Sequence, residues 1–181
     1  PRRHVVGPLA ELGGDLAWED WQREQINLTV ERVSDAVDVP VTAAVWGIHT
    51  NEWGWSGVSQ GSRDYYQDSR AFLEEGLLDA NIPMIYWPVS EVEGDRLDFR
   101  SLVRDHVSHA NGRHVYAGMG GSNIDYDQLV ACIEASRDEG AQGVVVFDYT
   151  LFGADLIRLR EGVFAEALAT IHALALSTSG R

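Results

Sequence analysis

Four apolar runs of strand length, separated by segments of helix length, constrain this chain more than any other feature. They are VTAAVWGI at 41–48, IPMIYW at 82–87, HVYAG at 114–118 and GVVVFDY at 143–149. A strand with one wet face alternates apolar and polar residues, whereas a strand covered on both faces reads as a continuous run. These runs are nearly continuous, so they predict strands buried on both sides. The intervening segments carry helical periodicity. Residues 20–37 place Trp21, Ile26, Val30, Val33 and Val37 on one face. Residues 63–75 align Tyr65, Ser69, Phe72 and Leu73, with Gly76 as the stop. Residues 98–109 turn Phe99, Leu102, Val103 and Val107 inward, residues 125–138 start at a capping Asp125 and end before Gly140, and residues 154–176 form a closing helix. Strand and helix alternate four times, which predicts an α/β fold with a parallel sheet.

The rhythm starts on a helix. Before residue 20 only HVV, followed by Gly7-Pro8, offers a strand. Four βα units plus a leading helix amount to about half of a (β/α)8 TIM barrel, which usually takes about 250 residues. The expected organisation is a loop at 1–19 leading in from an N-terminal half that lies upstream, the C-terminal half of a barrel at 20–176, and a tail at 177–181. Half a barrel exposes open edges and an apolar face, which drives association. The expected partner is the other half or a second copy of the chain.

Charge narrows the functional classes. The chain carries 28 acidic against 14 basic residues, a net charge of −14. Nucleic-acid binding needs a basic surface, so it is not expected. All the basic residues are arginine, which excludes a lysine Schiff base and a lysine-containing phosphate loop. No apolar stretch is long enough to cross a bilayer. Cys132 is the single cysteine and sits among apolar neighbours in LVACIEAS; it reads as a buried, inert thiol.

In parallel α/β folds the functional surface lies at the C-terminal ends of the strands. The residues expected there are Trp46, His49, Asn51, Glu52, Trp53 and Trp55; then Tyr86, Trp87 and Glu91; then Met119, Ser122 and Asn123; then Asp148, Tyr149 and Thr150. Indole and phenol rings cover the apolar face of a sugar, while amides and carboxylates bind its hydroxyls. The chain has 6 tryptophans, and Trp46, Trp53 and Trp55 fall within ten residues. The expected substrate-binding set is Trp46, His49, Asn51, Trp53, Tyr86, Trp87 and Tyr149. Glycoside hydrolysis needs two carboxyl groups flanking the bond, and Asp148 and Glu52 are the candidates. Asp148 lies inside an apolar strand, where a carboxylate must be paired, hydrogen-bonded or shifted in pKa. The glycine-rich GMGGSN could cradle an anion, but its spacing matches neither G-x-G-x-x-G nor the P-loop. His106, His109 and His114 read as surface or crossover histidines, without a metal site.

DWQREQINLTVERV, YYQDSRAFLEEGLLDANIPMIYW, VYAGMGG and RDEGAQGVVVFDYTLF follow one another here in the order seen in a bacterial family. Over residues 18–162 the chain resembles the glycosyl-hydrolase-like proteins related to the divisome-localised glycosidase of denuded peptidoglycan strands. The resemblance implies a (β/α)8 barrel, with this chain running from its fourth helix through its eighth. It implies that a principal catalytic carboxylate lies upstream of Pro1, that Tyr86 points into the barrel mouth and that Trp87 sits at the rim. Asp148 falls where relatives carry a small polar residue. The implied activity is acid/base hydrolysis of a glycosidic bond in peptidoglycan or another extracellular polysaccharide, in an extracytoplasmic location, with no metal or organic cofactor. Two other readings stay open: a non-catalytic carbohydrate-binding module, and a small α/β domain that binds an anion at GMGGSN.

Overall fold

A computed structural model describes residues 15–121, 124–148 and 155–165 of the chain. Its elements run α1 (Asp15–Asp35), β1 (Thr42–Trp46), α2 (Gly61–Asp64), α3 (Ser69–Glu74), β2 (Ala80–Met84), α4 (Phe99–Ser108), β3 (His114–Gly120), α5 (Tyr126–Asp138), β4 (Gly143–Phe147) and α6 (Asp155–Glu161). The strands form one four-stranded sheet in sequence order, and all three pairings are parallel. The expected α/β class and parallel sheet are therefore observed. The expected loop at 1–19 is corrected at its end, since helix α1 starts at Asp15, and the expected helix at 154–176 is interrupted after Glu161; residues 1–14, those beyond 165 and the tail at 177–181 lie outside the described residues.

Each strand splits its residues between two faces. Ala43 and Val45 of β1, Ile85 just past β2, Val115, Ala117 and Met119 of β3, and Val144 and Val146 of β4 pack in two clusters. Their partners are Phe72 and Leu73 of α3, Leu102 and Val103 of α4, and Leu129, Cys132 and Ile133 of α5. The helices thus sit on one face. The alternate residues Ile82, Met84, Tyr116, Val145 and Phe147 belong to neither cluster. Val145 is 39% exposed and Phe147 61%. The expectation that both faces are buried is corrected: among the described residues, helices cover one face only.

Three local expectations also change. The single helix at 63–75 is two short helices, because Tyr66 adopts a positive φ of 54° and Asp68 begins a new helix by accepting the Ala71 amide. Gln67, between them, turns its side chain to the sheet and accepts the Trp46 backbone N–H at 2.9 Å. The second strand starts at Ala80 and stops at Met84, so Tyr86 and Trp87 follow it and do not end it. In α1, Ile26 and Val30 pack inward, but Val33 stays exposed at 52%, and Val37, past the helix end at Asp35, at 43%.

Helix α4 forms the crossover between β2 and β3. Asp98 caps it, its carboxylate accepting the Ser101 amide at 2.9 Å and the Ser101 hydroxyl at 2.6 Å, while its other oxygen takes the Ser90 amide. Burial pushes the Asp98 carboxyl up, but these bonds together outweigh it and hold the group below its ordinary range. Cys132 lies fully buried on α5, with its thiol pushed up to about 12 by burial.

Candidate functional site at the C-terminal rim

The rim is built by the segments that leave β1, β2 and β4. Tyr86 leaves β2 on the face opposite the helices. Its ring lies over Gly120 of β3, where an added Cβ would meet Tyr86 Cγ at 3.1 Å. The ring then stacks near-parallel on Phe147, centroids 6.3 Å apart and planes 14° apart. Gly118 is equally constrained, since a Cβ there would come within 2.6 Å of the Pro83 carbonyl oxygen. Gly118 and Gly120 are therefore strand residues whose missing side chains admit neighbours. The Gly121 amide is taken by the Phe147 carbonyl at 2.9 Å, while Ser122 and Asn123 lie outside the described residues. Burial raises the Tyr86 hydroxyl above its ordinary pKa, keeping it a neutral donor.

Trp87 parts from Tyr86. It is half-buried and packs against the core on the helix side. Trp46, also half-buried, donates its indole N–H to the Ser59 carbonyl at 2.8 Å and packs at a tilt on Tyr65, centroids 4.7 Å apart. Asn51 closes the loop that follows: its amide donates to the Trp55 carbonyl at 2.6 Å, its oxygen accepts the Trp55 amide at 3.0 Å, and its own backbone N–H donates to Gln60 Oε1 at 2.7 Å. The result presents Trp53 and Trp55 as a stacked pair, centroids 4.5 Å apart and planes 12° apart.

The two expected carboxylates differ. Glu52 accepts from Arg70 at 3.0 Å and from Thr50 at 3.1 Å. The Arg70 hydrogen bond holds its carboxyl below the ordinary range, so it stays ionised and is a poor proton donor. Asp148 follows Phe147 directly and is half-buried. His49 is not at the open rim: it is 7% exposed, with Nε2 3.2 Å from Asp68 Oδ1. Tyr149 and Thr150 lie outside the described residues. Among the described residues, no group of three or more His, Cys, Asp or Glu could hold a metal, and no helix is long and apolar enough to cross a membrane.

Several residues of the site were not anticipated. Phe147 reads as one more apolar residue in an apolar strand; its alternation with Val145, away from Val144 and Val146, is the signal that placed it on the open face. Arg70, Gln60 and Tyr65 had no local signal, because their roles depend on partners far along the chain. No protein-family profile matches this sequence, and no curated protein is similar enough to count as a relative.

Proposed function

We propose that the rim binds a glycan and that the sheet is part of a (β/α)8 barrel of glycoside-hydrolase type. The observation that carries this reading is the Tyr86–Phe147 ring pair, a half-buried phenol and an exposed phenyl on the sheet face that no described helix covers. Stacked rings with a phenol hydroxyl and the neighbouring Asp148 carboxyl suit a sugar, which has an apolar face and an equator of hydroxyls. The sequential parallel order, with the helices on one side, supports the barrel. The remainder of that barrel, or a second copy of the chain, would complete the open face. The substrate would be peptidoglycan or another extracellular polysaccharide.

Hydrolysis requires a proton donor and a second carboxylate across the bond. Asp148 is this chain's candidate for acid/base work, and Glu52, held as an anion by Arg70, suits an orienting role. The principal carboxylate would come from the upstream part of the barrel. A non-catalytic glycan-binding surface is the second reading, favoured by the ion pair that removes Glu52 from proton transfer.

Co-sedimentation of the purified chain with peptidoglycan sacculi tests the reading. Wild type and Asp148→Asn should pellet, and Tyr86→Ala should bind about tenfold more weakly with unchanged far-UV circular dichroism. Binding that ignores Tyr86→Ala, or no binding to sacculi or to other insoluble glycans, removes it. In the intact protein, loss of turnover with binding kept in Asp148→Asn selects the enzyme over the binding surface.

A further inference from the structure

The turn between α4 and β3 lies at the end of the sheet opposite the rim, and glycan binding does not use it. The Arg113 N–H donates to the Ala110 carbonyl at 2.8 Å, with Asn111 and Gly112 between them at positive φ of 50° and 78°. Two positive φ inside such a bond make a type I′ turn, the geometry that favours Asn-Gly. Both residues are exposed, and a Cβ built on Gly112 would meet nothing within 4 Å. Among the described residues, no group accepts the Gly112 N–H. The Asn111 amide donates to the Glu74 carbonyl at 3.4 Å, longer than an ordinary hydrogen bond. Just past the turn, Arg113 donates to the Asp79 carboxylate at 3.3 Å, and its other oxygen accepts the Val41 amide at 2.8 Å. The Asp79 carbonyl takes the His114 amide at 3.2 Å. Asp79, just before β2, thus clasps Val41 before β1 and Arg113 before β3.

An open Asn-Gly step is chemically labile. The backbone nitrogen that follows an asparagine can attack its side-chain amide carbon, and glycine, with no Cβ, hinders that attack least. The other asparagines are followed by Leu28, Glu52, Ile82 and Ile124, whose side chains shield the nitrogen. Attack requires the Gly112 nitrogen to face Asn111 Cγ. Rotating the single peptide plane between the two residues converts type I′ into type II′, with ψ of about −120° at the first central residue and the flanking chain in place. That rotation brings the nitrogen round to Cγ. The bond from Gly112 N to Cγ forms and the bond from Cγ to Nδ2 breaks. The Gly112 proton leaves with the side-chain nitrogen as ammonia, and a five-membered imide remains. Water then opens the imide at either carbonyl. Opening at Cγ gives aspartate. Opening at the main-chain carbonyl gives isoaspartate, which routes the backbone through the side chain and lengthens it by one methylene.

We propose that Asn111 is a self-modification site, where loss of its amide to the Gly112 nitrogen leaves aspartate or isoaspartate in the turn between α4 and β3, and the isoaspartate form loosens the Arg113–Asp79 clasp beneath the sheet. The added methylene moves Arg113 away from both the Ala110 carbonyl and Asp79. The rim lies at the other end of the strands, so this holds whether or not the rim binds a glycan.

The test ages the purified, folded chain in mildly alkaline buffer and maps its peptides after cleavage at arginine. The peptide from Asp105 to Arg113 should give way to two acidic products, only one of them cut at position 111 by a protease that cleaves before aspartate. Asn111→Gly keeps a Gly-Gly turn of the same type and should lose both products. Aged wild type should melt about 2–4 °C below fresh protein, the shift for about one net hydrogen bond in a chain of this length, while aged Asn111→Gly should melt as it did when fresh. An Asn111 amide that survives in the folded chain, under conditions that convert the free peptide of the same sequence, overturns the site. Products that form as fast at Asn27 or Asn51 overturn the part given to Gly112. Converted wild type that melts like fresh protein overturns the loosened clasp. If Asn111→Gly fails to fold, the wild-type map and melting temperature still decide.

Discussion

The two faces of the sheet are made by the same strands and differ in what they meet. On the helix side, Val45, Val115, Ala117 and Met119 are at most 1% exposed. On the other side, one residue along in each case, Tyr116 and Met84 are half-buried, and Val145 and Phe147 are open to solvent. Both faces are apolar, so composition does not separate them. The helices do. Three crossovers, each antiparallel in sense to the strands it links, deliver Phe72, Leu102 and Ile133 to one face and nothing described to the other. The helix face is where folding energy is concentrated. The open face is where apolar surface remains for a ligand, another part of the protein or another chain.

The largest effect that sharpens this contrast is a truncation on the covered side. Phe99 is fully buried at the start of α4, in the cluster that joins α4 and α5 to the sheet. Phe99→Ala should cost about 3–5 kcal/mol, the usual range for emptying a buried aromatic site. Urea unfolding followed by far-UV circular dichroism measures it. A loss comparable to that of an exposed residue would mean that the two faces do not differ in energetic weight.

Much of this division was legible in the sequence. The runs at 41–48, 82–87, 114–118 and 143–149 located all four strands because apolar continuity survives any tertiary arrangement. Coverage was not legible, since a continuous run records what a strand tolerates on both faces and not which neighbour supplies it. The break between α2 and α3 was missed for a related reason. Tyr65 to Leu73 keeps helical spacing, but Gln67 is drawn to the Trp46 amide and Asp68 caps afresh, and both outcomes depend on the sheet. From sequence, His106 reads as a surface or crossover histidine. It is buried because its partner, the Gly47 carbonyl, lies 59 residues away. At the rim, Tyr86 was legible as a polar-tipped ring after a strand, whereas Phe147, its stacking partner, looked like core.

A smaller effect tests how the covered face is held at its upper end. Asp98 is 1% exposed and serves the Ser90 amide, the Ser101 amide and the Ser101 hydroxyl. Asp98→Ala removes the cap and leaves these donors buried without a partner, a cost of about 2–3 kcal/mol. Its folded-state carboxyl is held below the ordinary value, so its stabilisation is present above the unfolded carboxyl's value of about 3.9. It is lost as pH falls through the folded value. Asp98→Asn keeps an acceptor but not the charge. The gap in stability between wild type and Asp98→Asn should therefore be full at pH 7 and closed in strong acid. A gap that is constant across this range would remove the charge from the account.

The smallest effect belongs to the open face, and its smallness is the point. Phe147 is 61% exposed and stacks near-parallel on Tyr86 at a centroid distance of 6.3 Å. Phe147→Ser should change unfolding free energy by no more than about 0.5–1 kcal/mol, because little apolar area leaves water there on folding. Sedimentation velocity of the same variant should show weaker self-association than wild type, since the substitution breaks the exposed apolar patch next to Val145. A loss of stability as large as that of Phe99→Ala would mean that this face is already covered in solution. The residues covering it would then belong to the folded unit, and the contrast between the faces would be one of position and not of exposure.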